Sequence, residues 1–554
     1  MQVAEVVIAL AHLPESIGPT ILAVLAIGFP IALVFSWFYE VTPEGITLEK
    51  DVAPGESITH ITGRRIDFIV IAMLCAGLVV FAFDKWWPEG PIEQSIAVLA
   101  FENLSGDPEQ EYFSDGISEE LLNLLAKIPE LKVISRTSAF SYKGKDVRLT
   151  DVARELNVAH ILEGSVRKIG NQVRITAQLI ETQSDTHVWS QTYERTLDDI
   201  FAIQDEIAAK VVGKLKITLL GSPPIVKESQ PEAYALILKA RHLGRQGSPK
   251  DWQEAIALIE QALLIDPSYA VAWDALASIY VNQADNSLRP TDEGYAQARK
   301  AANQALALDP GYARAHARLG WIAVHHQGDL AAAAKHYERA LALEPTSTSI
   351  IFSAASLAES LGRLEMTIAL EEYALARDPL DPVANNNQGD SYLSAGRFDD
   401  AIASFRTALA LSPSYVGAKY RVGVALLLKG EPESAMISME QEGFEAWRLI
   451  GLAMAHHALD QASASDAALS ELIQKYEQDA AYNIAYVFAF RAEADRAFEW
   501  LRKAVIYNDP GLAEIANEPL FANIKSDPRW ATFLESVGKA PEQLAAIEFN
   551  VSLP

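Results

Sequence analysis

The residues whose chemistry would matter most are the clustered histidines and carboxylates. His325-His326 and His456-His457 are adjacent pairs. Neighbours on a helix point about 100° apart, so they do not chelate one ion as residues four apart do. Both pairs read as surface or packed histidines. Asp107, Glu109, Glu111 and Asp115 form an acidic run. Calcium takes such oxygens, but the EF-hand spacing is not met, and a solvated loop with a helix cap accounts for it better. No G-x4-GK[ST] or G-x-G-x-x-G phosphate cradle occurs, and no G-x-S-x-G nucleophile elbow. The expectation is a chain with no catalytic residues, no metal site and no cofactor.

Composition narrows the partners. The formal net charge is −27 over 554 residues, which argues against nucleic-acid binding, a process that neutralises phosphates with Lys and Arg. The single cysteine, Cys75, sits in an apolar run and supports neither a disulfide framework nor a zinc site.

The positioning elements follow from periodicity. In Asn385–Pro413, Gly389 and Tyr392 fall on one helix. Ala401, Phe405 and Ala408 recur at three-and-four spacing on the next, so they share a face. The small alanines let the helices approach, Phe405 fills the space between, and Pro413 stops the second helix. Pro345, Pro379 and Pro413 are 34 residues apart, and Pro310 lies 35 before Pro345. Each follows a similar phrase, such as RALALEP or TALALSP, and QALLIDP ending at Pro267 is an earlier copy. The pattern resembles the tetratricopeptide (TPR) repeat, with Asn385 and Gln388 in place of that family's early Trp and Leu. One such unit cannot bury its own apolar face, so the copies must stack into a solenoid.

Two uncharged runs precede this array. Ile21–Phe38, extended to about 18–39, and Phe68–Phe83, extended to about 66–86, read as transmembrane helices. Trp37, Tyr39, Trp86 and Trp87 suit the interfacial belt. Lys50, Arg64 and Arg65 lie between the runs, which places that linker in the cytoplasm and everything after about Trp87 outside it. From Ser95 to Leu219 the pattern is α/β. Ile96–Phe101 and Leu131–Arg136 read as strands. Ser114 and Asp115 are expected to cap a helix from about Ile117, and Thr150 a helix over Leu149–Val158. Alternating strands flank the hairpin signal Gly170-Asn171. Leu197–Lys216 is a closing helix. Ala284–Pro290 reads as an insertion in the array.

SIAVLAFENLSGDPEQEYFSDGISEELL, ILEGSVRKIGNQVRITAQLIE and WSQTYERTLDDIFAIQDEIA resemble the TolB-N-terminal/FlgO-like domain that precedes TPR arrays in bacterial envelope proteins. GFPIALVFSWFYEVTPEGI resembles the membrane stretch of the same proteins. Relatives often begin with one more hydrophobic helix, and Met1–Leu13 reads as its end. Some relatives carry the label adenylate cyclase. A cyclase needs paired carboxylates in a catalytic domain of its own, and no stretch of this sequence reads as one.

The fold class expected is therefore multidomain: a membrane anchor over 1–90, an α/β TolB-N-like domain over 95–220, and an all-α TPR solenoid with a closing segment over 230–540. The resemblance implies a bacterial inner-membrane, multi-pass protein, its soluble part periplasmic. It would act as a scaffold for protein partners, with the lipid bilayer held by the first helices. Groove-facing positions on the TPR pattern are Trp321, Asn386, Asp390 and Tyr420. The alternative is a signalling membrane protein of the group labelled adenylate cyclase, without a cyclase domain of its own. A reporter active only outside the cytoplasm, fused after Leu219, is expected to be active; activity of a cytoplasmic reporter alone at that position contradicts the topology.

Overall fold

A computed structural model describes residues 39–42, 45–48, 92–217 and 229–553. Two compact units result, Met1–Gly90 and Pro91–Pro554. In the first, β1 (Tyr39–Thr42) and β2 (Gly45–Leu48) pair antiparallel, with Thr42 opposite Gly45. The two runs expected to span a membrane lie outside the described residues, except for Tyr39, which opens β1. Among the described residues no helix is long and apolar enough to cross a membrane.

The second unit begins with an α/β part. Its strands are β3 (Ile92–Val98), β4 (Glu102–Asn103), β5 (Lys132–Val133), β6 (Val158–Ile169), β7 (Gln172–Glu181) and β8 (Thr186–Thr196), and its helices α1 (Glu111–Ala126), α2 (Arg136–Phe140), α3 (Leu149–Leu156) and α4 (Ile200–Lys214). The sheet order is β5-β3-β6-β7-β8, and β4 also pairs with β6. Strands β3, β4 and β5 run parallel to their neighbours. The β6-β7-β8 meander is antiparallel. The apolar run Ile96–Val98 becomes the strand buried between β5 and β6. In β7 the buried residues Val173, Ile175, Ala177 and Leu179 alternate with exposed or half-buried ones, the period of a strand with one covered face. Helices α1 and α4 supply that cover through Ile117, Leu121, Leu125, Ile203, Ile207 and Val211.

Two helix starts differ from expectation. Helix α1 begins at Glu111, after a 3-10 turn over Pro108–Gln110. Asp107 caps that turn by accepting from the Glu109 amide at 2.9 Å, and Pro108 at the first turn fixes φ where no amide donor is needed. The true cap thus stands seven residues before Ser114, and both Ser114 and Asp115 are buried inside the helix. Helix α3 is preceded by Arg148 and has no side-chain cap, so Thr150 is an interior residue.

The helical array follows: α5 (Pro231–Gln246), α6 (Pro249–Ile265), α7 (Ala270–Asp285), α8 (Thr291–Leu308), α9 (Ala313–Ile322), α10 (Leu330–Leu343), α11 (Thr348–Ser360), α12 (Leu364–Leu375), α13 (Pro382–Ser394), α14 (Phe398–Leu411), α15 (Ala418–Lys429), α16 (Pro432–Glu440), α17 (Glu445–Ala458), α18 (Ala462–Tyr476), α19 (Ala481–Phe490) and α20 (Ala494–Ile506). Two 3-10 turns, α21 (Pro528–Ser536) and α22 (Pro541–Ala545) close it. Within the α13–α14 pair, a Cβ on Gly389 would stand 2.4 Å from the Phe405 ring, so only glycine permits this approach. Ala401, Phe405 and Ala408 are fully buried. Asn385 occupies its buried position by donating to the carbonyls of Pro379 and Asp381, at 3.2 and 2.8 Å. The residues at 284–290 lengthen α7 through Asp285, and Gln283 Oε1 accepts from Arg289 Nε at 2.9 Å to fold the loop back.

The spacing of 35 before Pro345 has a local cause. Between α9 and α10, Ala323–Gln327 form a π-helical turn, which takes up one extra residue. The ring packed on Gly320 is accordingly Tyr337, 17 positions on, where Gly389 meets Phe405 at 16. The register of the array survives the insertion.

Ala401→Trp should lower the thermal midpoint of the chain, because overpacking a fully buried position costs about 1–3 kcal/mol. An unchanged midpoint in a calorimetric scan contradicts the packing described.

Candidate functional site

The first helix of each repeat faces inward, and this inner face is where the sequence placed its binding residues. In the structure the chain itself occupies much of it. Helix α1 of the α/β part lies against the early repeats. Glu119 is gripped by Arg245 of α5 and by Arg136 of its own domain, whose Nε stands 3.1 Å away. Arg241 pairs with Glu120 at 2.6 Å, and Arg314 donates to Asn123 Oδ1 at 2.9 Å. Further along, Ser138 donates its amide and hydroxyl to the buried Asp378 carboxylate at 3.1 and 2.6 Å, and Ser135 N donates to the Arg377 carbonyl at 2.7 Å. Apolar contact joins the same surfaces. Tyr234 and Leu238 of α5 belong to the core of the α/β part, where Phe201 meets the Tyr234 ring edge-on at 4.9 Å and Gln204 donates to its hydroxyl at 2.7 Å.

A cleft of about 960 Å³ remains between the two parts. The array lines it with Asp274, Ser278, Arg314, Arg318 and Trp321, and α1 with Glu120 and Asn123. Arg314, Arg318 and Trp321 share one face of α9 because they are four and three residues apart. Trp321 packs against the cluster that holds Tyr295 and Ile322, and its ring lies tilted against that of His325, with centroids 3.8 Å apart. This cleft has room for an extended polypeptide segment or a small molecule, with hydrogen-bonding groups on both walls.

The other predicted inner-face residues stand in a separate network. Asn386 donates to Asp390 Oδ2 at 3.2 Å, and Arg421 Nε reaches both Asp390 oxygens at 2.7 and 2.9 Å. Tyr420 is only 5% exposed: its hydroxyl meets that of Tyr486 at 2.8 Å and its ring stacks on Trp447 at 5.0 Å. Asn386 is 3% exposed. Later repeats cover Tyr420 through Trp447 and Tyr486; behind them Phe521 of the closing segment packs on Tyr482 and Tyr486, while Asn517 donates to the Glu359 carbonyl at 2.7 Å. Tyr420 and Asn386 therefore serve packing and internal hydrogen bonding in this structure; Trp321 alone of the four lines the open cleft. Arg314, Arg318 and Asp274 were not singled out from the sequence, although the repeat register projects them to the same face.

The remaining candidates resolve locally. Glu111 and Asp115 both hold Lys143 Nζ, at 2.6 and 2.5 Å, and Asp107 is a cap, so the acidic run is divided between separate tasks. Among the described residues no group of three or more His, Cys, Asp or Glu is placed to hold a metal ion. His326 stacks on Tyr295 at 4.6 Å, and His456 bonds Gln461 Oε1 at 2.7 Å.

Electrostatics differ between the two networks. Burial pushes the Glu119 carboxyl up, but Arg245, Arg241, Arg136 and Arg314 outweigh it and hold it below the usual range. Burial pushes Glu371 up to about 8, with Asp390 and Glu372 adding to the effect and Ser391 opposing it. Burial also pushes Glu518 up to about 7.

Comparison with known proteins agrees with the repeat reading. The tetratricopeptide repeat family profile matches residues 292–348 and 386–443. A curated protein of Rhizobium meliloti (strain 1021), "Putative adenylate cyclase 3", is 42% identical over 204 residues, 35% of this chain and 35% of that protein. The chain thus spans about a third of the length of the curated relative it matches. Among solved structures, the type IV pilus biogenesis factor PilW is 21% identical, covering 45% of this chain and 96% of its own with a TM-score of 0.30. PilF of Pseudomonas aeruginosa is 19% identical over 37% of this chain and 94% of its own, TM-score 0.31.

Two outcomes follow from the buried carboxylates. A carboxyl raised from its unfolded value near 4.5 to about 8 costs stability increasingly as pH rises between those values. Glu371→Gln should therefore raise the thermal midpoint more at pH 8 than at pH 5, by on the order of 2 kcal/mol of stability at the higher pH; an equal effect at both contradicts it. Glu119 has the opposite sign: its depressed carboxyl stabilises the docked arrangement above its unfolded value, a contribution lost as pH falls through the lower, folded value. Glu119→Gln should lower stability at pH 7 by about 1–3 kcal/mol, and the difference from the parent should shrink as pH is lowered below 4.5. Residues 292–348 and 386–443 carry tetratricopeptide repeats, and further helix pairs flank them on both sides.

Proposed function

We propose that this protein is a scaffold or adaptor that binds partner proteins through its TPR array, anchored to a bacterial inner membrane with its soluble part in the periplasm. The observation that carries the binding reading is the composite cleft of about 960 Å³, walled by α1 on one side and by α7, α9 and α11 on the other. Such arrays bind proteins because consecutive helices present one continuous surface, and a cleft with two walls buries more of an extended segment than an open groove does. The α/β part then acts as a second wall as well as a neighbour. Its TolB-N-like and FlgO-like resemblance and the apolar runs before residue 90 support the envelope location.

On this reading the protein is not an enzyme. Purified full-length protein with ATP and Mg²⁺ or Mn²⁺ should make no cyclic nucleotide above a buffer control, and turnover that survives repurification overturns this part. The second reading, a signalling membrane protein acting without its own cyclase domain, draws support from the name of the Rhizobium meliloti relative. Capture of partners from solubilised membranes tests the scaffold reading. Arg318→Ala with Trp321→Ala should remove the captured proteins, each truncation costing about 2 kcal/mol where it is a hot spot, with the helical circular-dichroism spectrum unchanged. Equal capture by the folded double variant places the binding surface outside the cleft.

A further inference from the structure

Residues 547–553 already show this array holding an extended peptide. The segment follows α22 with no helix or strand of its own. Its burial alternates with period two: Ile547, Phe549, Val551 and Leu553 are turned into the protein, while Glu548, Asn550 and Ser552 are exposed. Successive side chains of an extended chain point to opposite sides, so this is the presentation of a peptide lying along a surface. Phe549 is fully buried, in the apolar cluster that α10, α11 and α12 build with Tyr337, Ile351, Leu357, Leu361 and Leu370. The backbone is gripped by side chains. Arg363, in the turn between α11 and α12, donates to the carbonyls of Phe549, at 2.7 Å, and Ile547. Glu338 of α10 accepts from the Asn550 amide at 2.6 Å.

We infer that this seat is a peptide-recognition site, distinct from the composite cleft, whose resident ligand in cis is residues 547–553 and whose partner is a protein segment of the same chemistry. That segment is extended, with apolar residues at alternate positions and phenylalanine at the second of them. Main-chain contacts from Arg363 and Glu338 fit any extended backbone, and the Phe pocket supplies the selectivity, the division of labour general to extended-peptide recognition. The inference rests on the scaffold reading but uses a different surface. Binding at the seat requires the resident segment to leave, so the intact chain holds the site closed.

The test uses the full chain lacking residues 547–554, the full chain carrying Phe549→Ala, and a synthetic labelled peptide AAIEFNVSLP, the sequence of residues 545–554. Fluorescence anisotropy should show the peptide binding both variants and at least tenfold more weakly to the intact chain. The peptide with alanine in place of its phenylalanine, and an Arg363→Ala version of the shortened chain, should each lose at least tenfold. No binding to either folded variant overturns the proposal, as does loss of helical circular dichroism in both, which would make the segment a fixed part of the fold. Concentration-dependent dimers of the intact chain that vanish with Phe549→Ala would assign the seat to a second copy and overturn the partner assignment. None of these failures touches capture at Arg318 and Trp321, so the two readings fail separately.

Discussion

A helix pair of this array has an apolar face that it cannot cover alone, and that constraint organises the molecule. Each repeat closes its neighbour through contacts such as Met439 of α16 on Gly451 of α17. An array has two ends and an inner face, where the same need persists without another repeat to meet it. Here the chain meets it with its own segments. Tyr234 and Leu238 of the first array helix enter the core of the α/β part. Phe521 and Trp530 of the closing segment join the core of the last repeats. Phe549 completes the cluster in the middle.

The polar contacts have a different task. Burying Glu119 and Asp378 is costly unless each carboxylate keeps strong donors. Arginines supply them for Glu119, and the hydroxyl and amide of Ser138 for Asp378. These pairs fix how α1 sits against the array and so determine the width of the cleft lined by Arg314, Arg318 and Trp321. Stability and the candidate binding surface thereby share the same interface. A substitution such as Glu119→Gln would alter both.

Much of the architecture was legible as periodicity. The 34-residue spacing located the helix pairs, and the alternation in 158–181 located β6 and β7. The 35-residue interval was visible, but only the structure assigns it to the π turn at Ala323–Gln327. The start of α1 was misplaced because Ser114 and Asp115 look like a cap locally, while Asp107 and Pro108 had already opened the helical path. The occupied inner face was not legible at all. Ser138 and Asp378 are 240 positions apart, and no repeat pattern signals such a pairing. The burial of Tyr420 has the same origin: its register is that of an inner-face residue, yet Trp447 and Tyr486 of later repeats cover it.

The central claim is that the α/β part and the array form one docked unit whose shared interface shapes the binding cleft. Native-state hydrogen exchange on the full chain tests it most directly, since elements that open together exchange with one free energy. Amides of α1 and α5 should show the same opening free energy, and Arg241→Glu should lower both together. Exchange of α1 at its own rate, unaffected by Arg241→Glu, would mean that the two parts fold and open independently, and the composite cleft would lose its basis.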